Sequence, residues 1–170
     1  MTSPATPERT TLKEIVRTAT VGALSAYGVS SHPAQPGSDL GAELAFAGII
    51  GFTGASLRGT LLITTTGSML DRSNPITGSA RDWIAEFANQ LLGRIKNQLL
   101  RHGVEIYMTT PLVLRGQHLS PESLRTVDSI ELDTNGGPIF VSLESETTGE
   151  LVLERDPQAF VGSEGDAILF

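Results

Sequence analysis

The stretch Ser79 to Gly103, SARDWIAEFANQLLGRIKNQLLRHG, decides the reading of the fold. On a wheel of about 100° per residue, Ile84, Phe87, Ala88, Leu91, Ile95 and Leu99 gather on one side, the signature of a helix with one buried face. Ser79 and Asp82 have capping-box spacing at its start, and Gly103 stands where a left-handed residue would stop it. The pattern predicts a long helix over about Arg81 to His102.

Outward from this helix the apolar period changes from that of a helix to that of a strand. On the N-terminal side, Leu44, Phe46, Ile50 and Phe52 alternate along one predicted strand, and Leu57, Leu61 and Ile63 along a second. Thr53 to Ser56, with Gly54, joins the two as a hairpin. Met69 to Thr77 reads as a short helical turn followed by a turn at Asn74-Pro75. Further back, Thr11 and Glu14 have capping-box spacing ahead of an apolar stripe of Leu12, Ile15, Val16, Ala19 and Ala23, with Gly28 as the stop. Ser30 to Asp39 is a loop by composition, and residues 1–10 are expected to be a flexible, frayed end.

Beyond the long helix the period is again two. Val104 to Met108, Thr126 to Asp133, Pro138 to Leu143 and Glu150 to Glu154 are predicted strands, the last three forming an antiparallel meander through turns at Asn135-Gly136-Gly137 and Thr147-Thr148-Gly149. Residues 156–170 receive no assignment. The expected class is α+β: an antiparallel sheet of about six strands with the two helices on one face. No linker, repeat or low-complexity tract divides residues 11–170, which are expected to form a single domain.

Bulk composition narrows the function. The chain has 170 residues, 39% of them apolar, as an ordinary folded domain requires. A formal charge of −7 and a pI near 4.9 argue against nucleic acid or an anionic membrane as partner. There is no cysteine, which removes disulfides, thiolate metal sites and cysteine nucleophiles and suits a reducing cytoplasm. No apolar run approaches the roughly 18 residues of a membrane span, and no leader peptide is expected.

The polar side of the long helix is the candidate site. Asp82, Glu86, Asn89 and Gly93 fall at i, i+4, i+7 and i+11, within a stripe about 60° wide opposite the apolar face. Glu86 and Asn89 are about 4.5 Å apart along the axis, so a carboxylate and an amide are presented together. Any amphipathic helix has a polar face, and Asp82 has an alternative as the capping partner of Ser79. Gly93 is harder to account for, since an exposed helical glycine costs roughly 1 kcal/mol relative to alanine.

The run DWIAEFANQLLGRIKNQLL resembles the signature of the CheC/CheX/FliY chemotaxis-phosphatase family: Asp or Ser, three residues, Glu, two residues, Asn, and a Pro about 22 residues later. Asp82, Glu86 and Asn89 fill the first three places and Pro111 the fourth. The N-terminal half has no second ExxN helix, and Ser25-Ala26-Tyr27 does not match one. The chain is therefore similar to the single-site CheX branch.

The resemblance implies a CheC-like fold and a phosphatase that hydrolyses the aspartyl phosphate of a response-regulator receiver domain. Asn89 would orient the attacking water, and Glu86 would pair with a receiver lysine. Asp82, Gly93 and Pro111 would support them, Pro111 through backbone conformation because it has no N–H. No cofactor of its own is expected, because the divalent metal (Mg) belongs to the partner receiver. A homodimer is implied; Glu144, Glu146, Glu150 and Glu154 lie in or beside the strands of the C-terminal meander, and some of them are expected to blunt an open edge. The competing class is a non-catalytic module that binds a receiver through the same helix.

Other candidates carry less. His32, His102 and His118 lack metal-ligand spacing, and His102 is expected at a helix C-terminus. Trp83 and Tyr107 are expected to pack in the core or at its rim. Gly48-Ile49-Ile50-Gly51 is followed by no Lys-Ser/Thr and is not a phosphate loop.

Overall fold

Both long helices begin at the caps their sequences specify. Thr11 Oγ1 accepts from the Glu14 N–H at 3.2 Å while Glu14 Oε2 accepts from the Thr11 N–H at 2.8 Å, a reciprocal capping box. Both also end in the same closure. The N–H groups of Gly28 and Val29 reach back to the carbonyls of Ser25 and Leu24, and those of Gly103 and Val104 to Leu100 and Leu99. The glycine in each carries φ near +70° (Gly28 71°, Gly103 72°), where a side chain would be strained.

The computed structural model describes residues 11–35, 44–73, 79–120 and 127–154. Along the chain lie α1 (Leu12–Ala26), β1 (Ser31–Pro33), β2 (Leu44–Thr53), β3 (Leu57–Thr66), α2 (Gly67–Ser73), α3 (Ala80–Leu100), β4 (Tyr107–Met108), β5 (Leu112–Arg115), β6 (Val127–Thr134) and β7 (Gly137–Thr147). The strands form one antiparallel sheet in the order β1-β6-β7-β3-β2, with β4 and β5 both on the outer side of β2. The expected α+β class with an antiparallel sheet is the one observed.

Register gathers the apolar side chains on one face. Ile50, Leu61 and Leu143 stand side by side across β2, β3 and β7; in the next row Ile63, Val141 and Ile130 follow Gly48. All six of these side chains are buried, in one cluster with Ile84, Phe87, Leu91, Ile95 and Leu99 of α3 and Ile15, Val16, Ala19 and Ala23 of α1. At about 1.5–3 kcal/mol per buried aliphatic or aromatic side chain, this face, rather than helix propensity, holds α3 in place. On the opposite face Ile49, Leu62 and Ser142 are half-buried and Ser129 is exposed.

Several strand expectations are corrected. Ser31–Pro33, expected as loop, is a short edge strand because its backbone pairs with Leu132–Thr134. Of Val104 to Met108, only Tyr107–Met108 joins the ladder, although Val104 and Ile106 point into the core as alternation requires. Leu112–Arg115 is a strand that its uninterrupted apolar run concealed. Glu150 to Glu154 forms no strand; the outer side of β7 is already taken by β3, leaving no third place in a meander. For the same reason Glu144 and Glu146 lie on an interior strand and do not guard an edge. Glu146 instead ion-pairs with Arg58 across β3 at 2.8 Å.

The long helix runs Ala80–Leu100, slightly shorter than Arg81 to His102, and the helical turn at Met69 is α2. The frayed end at 1–10, the turn at Asn74-Pro75 and the stretch 156–170 lie outside the described residues.

Candidate functional site

Position along α3 sets what each polar side chain can do. At the N-terminus Ser79 Oγ accepts from the Asp82 N–H at 3.2 Å and donates to Asp82 Oδ2 at 2.7 Å. The cap thus engages one carboxylate oxygen of Asp82, whose charge also suits the positive end of the helix. One turn on, Glu86 is exposed, and its Oε1 accepts from Gln90 Nε2 at 2.8 Å. Asn89 is half-buried, and among the described residues its amide has no hydrogen-bond partner. A side-chain amide offers two donors and an acceptor, so Asn89 is equipped to bind something from outside the chain. Gly93 follows with nothing within 4 Å of where a Cβ would lie, so the helix backbone is open to close approach.

The helix is seated by contact with β2. A Cβ on Gly48 would lie 3.1 Å from Ile84 Cγ1, 3.4 Å from the Ile84 carbonyl oxygen and 3.6 Å from Ala88 Cβ. The polar stripe therefore rides on a buried face that cannot retreat.

Pro111 lies on the far side of β2, between β4 and β5. Met108 stands opposite Phe52 but Leu112 opposite Ile49, so the edge chain carries one extra residue, a bulge. There the Thr109 N–H donates to the Gly51 carbonyl at 2.9 Å, and Thr109 Oγ1 accepts from the Gly51 N–H at 3.0 Å. A proline is tolerated on such an edge because no ladder donor is lost.

Two aromatic groups flank the stripe, and sequence reasoning assigned neither to it. Tyr27, at the end of α1, packs its ring 5.4 Å from Trp83 and 5.8 Å from Phe87, which are themselves stacked at 5.0 Å. Burial, and then the nearby Glu86 carboxylate, push the Tyr27 phenol above its ordinary 10.0. The only signal in the sequence is that Tyr27 continues the apolar stripe four residues after Ala23. Near the other end, Lys96 Nζ lies 5.7 Å from the ring centre of Tyr107, which is 53% exposed and so not the packing residue expected. The Tyr107 hydroxyl donates to Glu105 Oε1 at 3.1 Å, and this bond is the main reason its phenol is raised. Trp83, by contrast, is buried in the core.

The histidines do not converge. Among the described residues no three or more His, Cys, Asp or Glu side chains are grouped as a metal site would need. His102 lies just beyond the helix, with Nδ1 buried and without a hydrogen-bond partner among the described residues. A cavity of about 250 Å³ lined by Ala45, Gly116, Gln117 and His118 includes none of the polar residues of α3. Among the described residues no helix is long and apolar enough to cross a membrane.

Comparison with known proteins places this geometry. A family described as chemotaxis phosphatase CheX matches residues 46–135, which carry β2 through α3 to the β6–β7 turn. No curated protein matches by sequence. Among solved structures, CheX from Vibrio vulnificus superposes with a TM-score of 0.70 at 20% identity, over 83% of this chain and 100% of that one. CheX from Desulfovibrio desulfuricans gives 0.65 at 22% identity, over 79% and 99%. CheX of Borrelia burgdorferi, solved in a CheX-CheY-BeF3-Mg complex, gives 0.57 at 13% identity, over 81% and 99%. With more than half of its length matched, the chain belongs to the chemotaxis phosphatase CheX family.

Proposed function

We propose that the chain is a phosphatase for the aspartyl phosphate of a response-regulator receiver domain, with Asn89 and Glu86 as its working residues. The observation that carries this reading is an amide, Asn89, with no hydrogen-bond partner among the described residues, one turn from an exposed carboxylate, Glu86, on a helix whose opposite face is locked into the core. Phosphoryl transfer asks mainly for positioning and electrostatics, and an amide can hold a water in line with the breaking P–O bond without titrating. Glu86 pairs with a receiver lysine by a charge-assisted contact that sets how deeply the helix enters. Gly93 gives the receiver room, Asp82 holds the helix start, and Pro111 shapes the bulged edge. The divalent ion belongs to the receiver; the Borrelia relative was solved with CheY, BeF3 and Mg, which supports a receiver as partner here. Such a partner places the chain in the cytoplasm.

We also propose a homodimer. Of the exposed large hydrophobic residues, Tyr107, Met108, Leu112 and Leu114 all lie on the outer strands β4 and β5, where the backbone edge offers itself to a second copy.

The test is turnover. Purified protein mixed with excess phosphorylated receiver should release many equivalents of phosphate per chain. Stoichiometric protection of the phosphoryl group would establish instead the non-catalytic binding module.

A further inference from the structure

Tyr107 is more than half exposed, yet it is held on several sides. Its backbone pairs with Thr53 at the end of β2, and the Glu105 carbonyl lies so close to Gly54 that a Cβ there has no room. Its hydroxyl donates to Glu105 Oε1 at 3.1 Å, and the Lys96 ammonium lies over its ring, 5.7 Å from the centre. The hydroxyl and one side of the ring are thus engaged within the chain. What remains for an outside partner is apolar ring surface, already fixed in place and so cheap in entropy to bind.

Lys96 ties this ring to the polar stripe of α3. It stands two turns beyond Asn89, about 10 Å along the axis and about 20° away on the wheel. Between them Gly93 contributes no side chain and has nothing within 4 Å of where a Cβ would lie. A body docked over Asn89 can therefore follow the helix as far as Lys96 and meet the Tyr107 ring beside it.

We propose that Tyr107 is a docking residue for the receiver, its ring taking an apolar side chain of the receiver surface beside the phosphorylation site rather than within it. This inference rests on the reading of Asn89 and Glu86 as the receiver-facing pair. Lys96 and Glu105 act as braces that set the pose of the ring. Two turns from the water held by Asn89, the contact adds affinity and selects among receivers without entering the chemistry.

The test is Kd for a beryllofluoride-activated receiver, measured in a Leu112→Lys background so that the proposed dimer edge next to Tyr107 is already open. Tyr107→Ala should raise Kd about 5- to 30-fold, the range of an interface residue that matters, and leave kcat on phosphorylated receiver within about twofold. Tyr107→Phe keeps the ring and should bind within about twofold of the parent, because the hydroxyl is not what the partner meets. The Tyr107→Ala loss should be the same at low and high salt, whereas the Glu86→Ala loss should shrink as salt screens its charge. An unchanged Kd in Tyr107→Ala, or a loss that Tyr107→Phe shares in full, would overturn the role. Weaker binding in Glu86→Ala but not in Tyr107→Ala would leave the receiver reading standing and remove this inference alone. Weaker binding in Tyr107→Ala of a protein that releases no phosphate would retain the docking role and remove the phosphatase reading. No binding of the activated receiver to the unmodified chain would remove both.

Discussion

Ile84 occupies the space that a side chain at Gly48 would fill, with its Cγ1 only 3.1 Å and its carbonyl oxygen 3.4 Å from that point. A side chain can swing aside, but the carbonyl moves only with the whole of α3. Gly48→Ala is therefore expected to destabilise the protein by about 1 kcal/mol, the overpacking strain exceeding what alanine gains over glycine in a strand. Because α3 carries Glu86 and Asn89, phosphatase activity should fall as well. Urea denaturation would check this; an unchanged or raised midpoint would show that the helix is not seated on Gly48.

Gly93 is the opposite case. With nothing within 4 Å of its Cβ position, alanine meets no obstacle inside the chain. Gly93→Ala should stabilise the helix by about 1 kcal/mol. On the proposed function it should at the same time weaken receiver binding, because the methyl group would stand where the receiver's surface is proposed to approach. A variant more stable and equally active would show that Gly93 lies outside the footprint.

Much of this architecture could be read from local pattern, and what could not was long-range. Thr11, Glu14, Gly28, Ser79 and Gly103 act within a few residues, so the helix ends followed from sequence. The wheel of α3 was legible because every residue placed on its apolar side, from Ile84 to Leu99, is buried. Leu112-Val113-Leu114 hid a strand because it does not alternate and follows Pro111, and only pairing with Phe46–Ile49 makes it one. Glu150 to Glu154 alternates and is not a strand, because only Glu154 forms an isolated bridge and no continuous ladder is made. Glu86 and Asn89 stand out as candidates through their spacing on one helix and the family resemblance that this spacing carries. Tyr27 lies 59 positions before Glu86, and no periodicity reports that separation.

The two residues proposed to do the work should fail differently. Asn89→Ala is expected to lower kcat by about 10²–10³ while binding of the activated receiver stays near normal, as for loss of one group that acts in the transition state. Glu86→Ala should mainly raise KM. Steady-state kinetics on phosphorylated receiver separate the two. Full activity in the Asn89→Ala protein would remove the mechanism.

Both tyrosines of the chain ionise above the ordinary 10.0, for different reasons. For Tyr107 the hydrogen bond to Glu105 comes first, so Glu105→Gln should bring its titration most of the way back. For Tyr27 burial comes first, so Glu86→Gln should recover only part of the shift. A folded-state pKa above the unfolded one gives stability that is complete below pH 10 and is lost as pH rises through the folded value. Stability should therefore fall in the alkaline range above pH 10, in step with phenolate absorbance. A titration at or below the ordinary value for either residue would contradict the contacts described.

The proposed homodimer is open to the sharpest test through its edge. β5 pairs with β2 on one side, among the described residues no strand flanks its other side, and Leu112 and Leu114 are 58% and 43% exposed. Paired edges would cover these side chains and satisfy the free backbone groups. Glu86 and Asn89 stand on α3 and would stay accessible, giving two working faces per dimer. Light scattering across a dilution series should give twice the chain mass at tens of micromolar, and Leu112→Lys should shift it to the monomer without unfolding the protein. A monomeric mass for the unmodified chain at that concentration would refute the dimer. A dimer indifferent to Leu112→Lys would move its interface away from this edge.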